Sequence, residues 1–432
     1  MIQIIDVSEI DQISSPVVPR AQLDVEAALN QINPVLIDVE KNGDEAVLNW
    51  NEKFDGVKSK SLRVPQSVID KAYEEMSPDV LEALKESIKR ATKVHQSQLK
   101  SENQTKVVEN GFVTQKYIPV SRVGLYVPGG QAVYPSSVVM NVVPAKVAGV
   151  KSIAVSSPSQ KENDGWPNKT ILAACKLLEI DEIYSAGGAQ AIAMFAYGTK
   201  SCNRVNLITG PGNVYVTAAK RKVRSVVAID SEAGPTEIAI LADETGNPKW
   251  IAADLISQAE HDVIASSILV TNSKDLAIQV KQELEIQVPQ TKHAERIKQA
   301  LQGKQSAIVI VKNVKQGIEV INDISAEHLE IHTNDLTNVV SKIENAGAIF
   351  VGPNTPVSLG DYLAGSNHVL PTGGCACHSS GLNVQTFLKS VQLIEYSQDA
   401  LKDAANHLRV LAHAEDLPAH AQAVDIRLEN NK

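Results

Sequence analysis

The sequence predicts an α/β protein with two doubly wound, Rossmann-like parallel-sheet domains, a helical N-terminal region and a docking C-terminal tail. Short β-branched runs alternate with helix-length segments from about residue 121. Glycine turns punctuate several strand ends, and a second alternation of the same kind follows Gly234-Pro235. Length agrees: 432 residues make two or three domains at roughly 150 residues each. Hydrophobic residues make up 43% and charged residues 21%, which supplies a large core and excludes fibrous and disordered classes.

Residues 1–20 read as an N-terminal arm, and 21–116 as mostly helical. Ala27, Leu29, Ile32, Val35 and Leu36 recur at helical intervals, as do Val80, Leu81, Leu84 and Ile88. Arg122–Val127 is then a short strand ending in Pro128-Gly129-Gly130, and Ser136–Ala148 a serine-capped helix. Strands follow at Ser152–Val155, Glu182–Ser185, Val205–Ile208 and Val226–Ile229, with helices over about 168–178, 190–196 and 213–223. The second alternation has strands at Glu237–Leu241, Ser267–Val270, Ala307–Val311 and Ala348–Val351, and a helix over about 249–259. We group 21–120 with 235–380 as the larger α/β domain and set 121–234 apart as the smaller one. Residues 381–432 are too few for an independent core, and Leu401, Ala405, Leu408 and Leu411 give them a helical docking face.

Charge and composition narrow the partners. Fifty acids against 41 Lys plus Arg give a net charge of −9, which disfavours nucleic acid and anionic membrane. Aromatic residues are only 4%, too few for a base-stacking surface. The opening MIQIIDVSEIDQISS carries Asp6, Glu9 and Asp11 and lacks the basic start of a secretory signal. No apolar run approaches the roughly 18 residues of a membrane span, so a soluble, cytoplasmic protein is expected. Cys175, Cys202, Cys375 and Cys377 make no disulfide framework and read as reduced thiols.

Five segments could carry chemistry. Gly187-Gly188-Ala189-Gln190 and Gly210-Pro211-Gly212-Asn213 each join a strand to a helix, where free N–H groups and the helix dipole suit an anion or dinucleotide. Each alone is also an ordinary tight turn; two in one unit, with Pro128-Gly129-Gly130 at a third strand end, favour a cofactor crevice. Gln258 and His261 lie three apart on one helix face and could share a metal, although a lone His near a helix end is commonly a packed residue. Glu327 and His328 are an adjacent acid and imidazole suited to proton transfer, but both reach one site only if the strand is irregular there. Asp361 and His368 sit in a glycine-rich polar stretch unlike plain core, and His420 follows Glu415 in the tail. A surface cap or polar helix end explains each of these taken singly.

VGLYVPGG, GGAQAIA, GPGNVYVTAAK, AGPTEI, SQAEHD, AEHLEI, AGSNHVLPT and the Glu415-x4-His420 tail occur here in an order that resembles the histidinol dehydrogenases, over about residues 20–430. The resemblance implies a zinc-dependent, NAD-linked enzyme that oxidises L-histidinol through the aldehyde to L-histidine, the last step of histidine biosynthesis. It implies that 121–234 binds NAD through Tyr126, Gln190 and Asn213. Zinc would be held by Gln258, His261, Asp361 and His420, and protons moved by Glu327 and His328. Thr236, His368 and Glu415 would join the zinc ligands and His328 in contacting substrate; Thr236 stands where the family usually has serine, which keeps the hydroxyl. The family also implies a homodimer whose tail completes the partner's site. A dehydrogenase of another small alcohol, such as a sulfonated diol, is the alternative on the same scaffold. A zinc hydrolase or a small-molecule binding protein leaves either the glycine turns or the proton-transfer groups without a purpose.

Overall fold

The structure, a computed structural model, describes residues 2–10, 16–21, 23–59, 61–129, 133–232 and 234–429. Gly130 of the first glycine turn and Asp11 of the arm lie outside the described residues.

The first unit is a five-stranded parallel sheet in the spatial order Ile183–Ser185, Ser152–Ser157, Arg122–Tyr126, Leu207–Thr209, Ala228–Ile229. Counted along the chain this is 3-2-1-4-5, so the order reverses between Arg122–Tyr126 and Leu207–Thr209. Helices cover both faces, and the strands accordingly bury side chains on both, among them Val123, Leu125, Ala154, Val155, Ile183 and Ile208. Helix Pro135–Val147 is apolar nearly all round because it lies between the sheet and helix Pro78–Gln96. It does not use the expected serine cap. Tyr134 is its N-cap and makes no side-chain bond, Pro135 opens the helix with a suitable φ, and Ser136 and Ser137 are buried in the first turn.

The N-terminal helices belong with this sheet, not with residues 235–380 as grouped above. Val25–Asn42 packs on Gly188–Tyr197 and Val214–Val223, Gln66–Glu74 on Lys169–Leu177, and Pro78–Gln96 on Pro135–Val147. Val35, Leu36 and Val39 thereby share a core with Met194 and Val216. Helix also stops short of the expected residue 116. Asn103–Val108 and Gly111–Pro119 form an antiparallel hairpin, with Asn110 left-handed at φ 56°, and Leu388–Tyr396 adds a third strand from the tail.

The second unit is a six-stranded parallel sheet in the order Gln3–Asp6, Ala307–Ile310, Ser266–Thr271, Glu237–Ala242, His328–His332, Ala348–Val351. Part of the N-terminal arm is thus an edge strand. Its remaining five strands repeat the 3-2-1-4-5 order, with the reversal between Glu237–Ala242 and His328–His332. Helix Pro248–Ala259 returns along this sheet, so its C-terminal end lies beside the N-terminal ends of the strands. In the tail, helices Gln398–Ala414 and Pro418–Glu429 pack on each other, burying Ala400, Ala405 and Ala421. Leu411, expected on the docking face, stays exposed because the face toward the partner helix is the alanine one. No helix among the described residues is long and apolar enough to cross a membrane.

Candidate active site

A cavity of about 460 Å³ opens between the two sheets. One wall is built from residues just past the C-terminal ends of three strands of the five-stranded sheet: Pro128, Gly210 to Asn213, Asp230 and Ser231. The opposite wall comes from the N-terminal ends of two strands of the six-stranded sheet and from the end of helix Pro248–Ala259: Thr236, Glu327, His328, His261 and Asp262. Asp361, Tyr362 and His368 close a third side.

The first wall is made largely of backbone. Gly210 has φ 117°, and a Cβ there would lie 2.0 Å from the Tyr126 carbonyl oxygen, so only glycine lets the turn pass so close. Its N–H donates to Asp230 Oδ2 at 2.8 Å and its carbonyl accepts from Lys220 Nζ at 3.1 Å. Lys220 and Asp230 form an ion pair buried beneath the turn. Asn213 caps helix Val214–Val223, its Oδ1 accepting from the N–H groups of Tyr215 and Val216. The positive ends of this helix and of Pro135–Val147 therefore face the cavity.

Tyr126 and Gln190 are buried behind this wall and do not line the cavity. The Tyr126 hydroxyl accepts from the Gly188 N–H at 3.2 Å, and burial pushes its ionisation up to about 12. Gln190 donates to Asn51 Oδ1 at 3.1 Å, while its Oε1 is buried without a partner. Asn51 and its neighbour Asp55, on helix Asp44–Asp55, escaped the sequence reading because nothing in that helix marks it as packing beside a glycine turn. Burial raises the Asp55 carboxyl to about 6, and its Oδ2 is unpartnered.

Side chains make the second wall. Ser325 is left-handed at φ 49°, and strand His328–His332 begins only after Glu327. This irregular entry lets the adjacent acid and imidazole share one cavity. Glu327 Oε2 accepts from the Thr236 hydroxyl at 2.5 Å and from the Glu237 N–H at 3.0 Å. Burial outweighs those bonds and raises its carboxyl to about 7. His328 Nδ1 lies 3.2 Å from the Glu237 carbonyl, which places the proton there and makes Nε2 the lone-pair nitrogen. That Nε2 is buried and unpartnered, and burial lowers the ring's basicity.

Gln258 is fully buried next to this wall. Its Nε2 donates to Thr236 Oγ1, and its Oε1 has no partner. His261 Nδ1 lies 3.1 Å from the Ser257 carbonyl, so Nε2 is again the free lone pair. Asp361 belongs to helix Val357–Tyr362, which packs tightly because its Gly360 leaves room for Phe350, whose ring lies 6.0 Å from that of His328. An orphaned amide oxygen, an imidazole lone pair and a carboxylate at a helix C-terminus fit a divalent cation. His368 is held by the Asp361 carbonyl on Nδ1 and Ser137 Oγ on Nε2, both at 3.1 Å, and burial lowers its basicity. Ser137 is not singled out by the sequence, where it is simply the second residue of the expected helix Ser136–Ala148.

Glu415 and His420 are both exposed on the tail and do not line this cavity. A further cluster, Asp254, Glu330 and His332, brings three buried donor atoms within 4.8 Å of one another. Asp254 is raised to about 8, first by burial and then by the neighbouring Glu330 carboxylate.

The family model described as histidinol dehydrogenase matches residues 18–428. Histidinol dehydrogenase of Streptomyces avermitilis is 57% identical over 410 residues, 95% of this chain and 93% of the relative. That of Thermobifida fusca is 56% identical over 410 residues, 95% of this chain and 94% of the relative. The crystal structure of histidinol dehydrogenase from Elizabethkingia anophelis superposes with a TM-score of 0.90 at 33% identity, covering 95% of this chain and 94% of that one.

Proposed function

The chain belongs to the histidinol dehydrogenase family, and we propose that it oxidises L-histidinol through L-histidinal to L-histidine with two NAD, aided by zinc. The observation that carries the residue assignment is the cavity itself. It sets an unpartnered His328 Nε2 and a neutral-range Glu327 opposite a glycine turn and two helix N-termini.

His328 Nε2 takes the proton from the substrate hydroxyl as hydride leaves the adjacent carbon. Its Nδ1 bond to the Glu237 carbonyl holds the ring in the tautomer that this needs. Glu327 activates the water that hydrates the aldehyde, and Thr236 and the Glu237 N–H aim its carboxylate. His368 binds and orients substrate from the third side. Gln258, His261 and Asp361 would hold zinc, with His420 completing the set. Bound there, zinc supplies a site for the imidazole and amine nitrogens of histidinol. The wall of Gly210 to Asn213 would hold NAD, whose nicotinamide would supply the hydride acceptor; Tyr126 and Gln190 support the neighbouring glycine turn from behind.

The described cavity lining contains Asp230, Asp262, Glu327 and Asp361 but no Arg or Lys. That favours a cationic amino alcohol over a sulfonated diol, which would call for a guanidinium or ammonium. The tail supports a homodimer. Ile394 is 65% and Leu411 64% exposed, with Val391, Leu393 and Val410 exposed beside them in sequence. His420 and Glu415 then serve the partner's cavity, and mixing inactive His420→Ala and Glu327→Gln proteins restores activity; absence of restoration would remove this arrangement.

The reaction is tested by stoichiometry. Two NADH form per histidinol consumed, and a chelator abolishes turnover. A pure, zinc-loaded sample that reduces no NAD with histidinol would overturn the assignment.

A further inference from the structure

The candidate cation ligands and the strand of His328 belong to three separate elements, and one buried carboxylate joins them. Glu330 has no exposed surface. It shares a face of strand His328–His332 with His328 and His332, since alternate strand residues point the same way. Its Oε1 accepts from the Val357 N–H at 2.9 Å, at the start of the short helix that carries Asp361. Its Oε2 lies 3.1 Å from His332 Nε2 and the carboxylate also hydrogen-bonds to Asp254. Asp254 stands four residues before Gln258 on one face of helix Pro248–Ala259.

We propose that Glu330 is a positioning residue for the cation site, its buried carboxylate fixing the helix of Gln258 and the helix of Asp361 to the strand of His328. The inference rests on the assignment of Gln258, His261 and Asp361 as zinc ligands. The Asp254–Glu330–His332 cluster is then a closed hydrogen-bonded joint, not a second metal site. One carboxylate is engaged by the Val357 N–H, the His332 ring and the Asp254 carboxyl, so its oxygens are satisfied from within. Such outer partners set metal affinity by holding the ligands in register.

The test is zinc affinity of the full-length protein, measured by competition with a chromophoric chelator. Glu330→Ala is expected to bind zinc about 10- to 100-fold more weakly than wild type. Glu330→Gln restores most of the affinity, because its amide still accepts from Val357 and donates to Asp254. Val357→Pro removes the donor to Glu330 at a helix position that accommodates proline, and weakens zinc by about tenfold. It carries the test if Glu330→Ala does not fold. Leu269→Ala, fully buried in the same sheet, lowers the melting midpoint and leaves zinc affinity unchanged. Wild-type zinc affinity in Glu330→Ala or Val357→Pro would overturn the inference alone, as would an equal loss in Leu269→Ala. A wild-type protein that binds no zinc would overturn the metal assignment, and the inference with it.

Discussion

The five-stranded and six-stranded sheets share the 3-2-1-4-5 order but meet the cavity with opposite ends. The five-stranded sheet presents the carboxyl ends of its strands at the point where the order reverses, the usual place for a ligand in such sheets. Helix N-termini gather there, and the wall is glycine and backbone. The six-stranded sheet presents the amino ends at its own reversal, beside the C-terminal end of helix Pro248–Ala259. A helix C-terminus carries partial negative charge and favours a cation. One architecture, turned end for end, thus forms an electropositive wall and an electronegative wall, which the proposed function assigns to a dinucleotide and to a metal and a cationic alcohol. On that assignment, chemistry resides in the side chains of one wall and cofactor placement in the backbone of the other.

If that division holds, damage to each wall has a different signature. The largest effect is expected from His328→Asn, which removes the base. Its kcat should fall about 10²- to 10⁴-fold with the KM for NAD unchanged. A parallel rise in that KM would show the walls are not separate. Glu327→Gln should come next, slowing aldehyde oxidation by about 100-fold and alcohol oxidation far less. In the proposed role Glu327 acts as a carboxylate, and burial raises that carboxyl to about 7. Wild-type aldehyde oxidation should therefore rise with pH through about 7, and that limb should vanish in the variant. Equal loss in both half-reactions would remove the role assigned to Glu327. Gly210→Ala is expected to be the mildest. Strain of roughly 1–3 kcal/mol in the turn should raise the KM for NAD by about tenfold. The pH profile should not move; a shifted limb would place the turn in the proton chemistry.

The same contrast explains what could be read from sequence. The first sheet was legible because its strands are short apolar runs that end at glycines, and Asn213 sits where a cap belongs. Strand His328–His332, with polar side chains at alternate positions, offers no apolar run, so the sequence marks a strand beside Glu327 and His328 but not its place between Glu237–Ala242 and the edge strand Ala348–Val351. The hairpin at 103–119 lies largely within the stretch 21–116 that reads as mostly helical, though its Asn110-Gly111 pair is a turn signal. Gln258, His261, Glu327, His328 and Asp361 were picked out by residue type, but only resemblance joined them, since spacing cannot show that residues 100 apart meet. Lys220–Asp230 and Asp254–Glu330 leave no trace in the sequence, because two buried ionisable groups that meet look like any two surface charges until the fold encloses them.

Anomalous scattering at the zinc edge, from crystals of the zinc-loaded protein, tests the opposed-wall account most directly. One peak per cavity is expected, bordered by Gln258 Oε1, His261 Nε2 and the Asp361 carboxylate, on the six-stranded side. A peak enclosed by Asp254, Glu330 and His332, or one seated against the Gly210 turn, would contradict it.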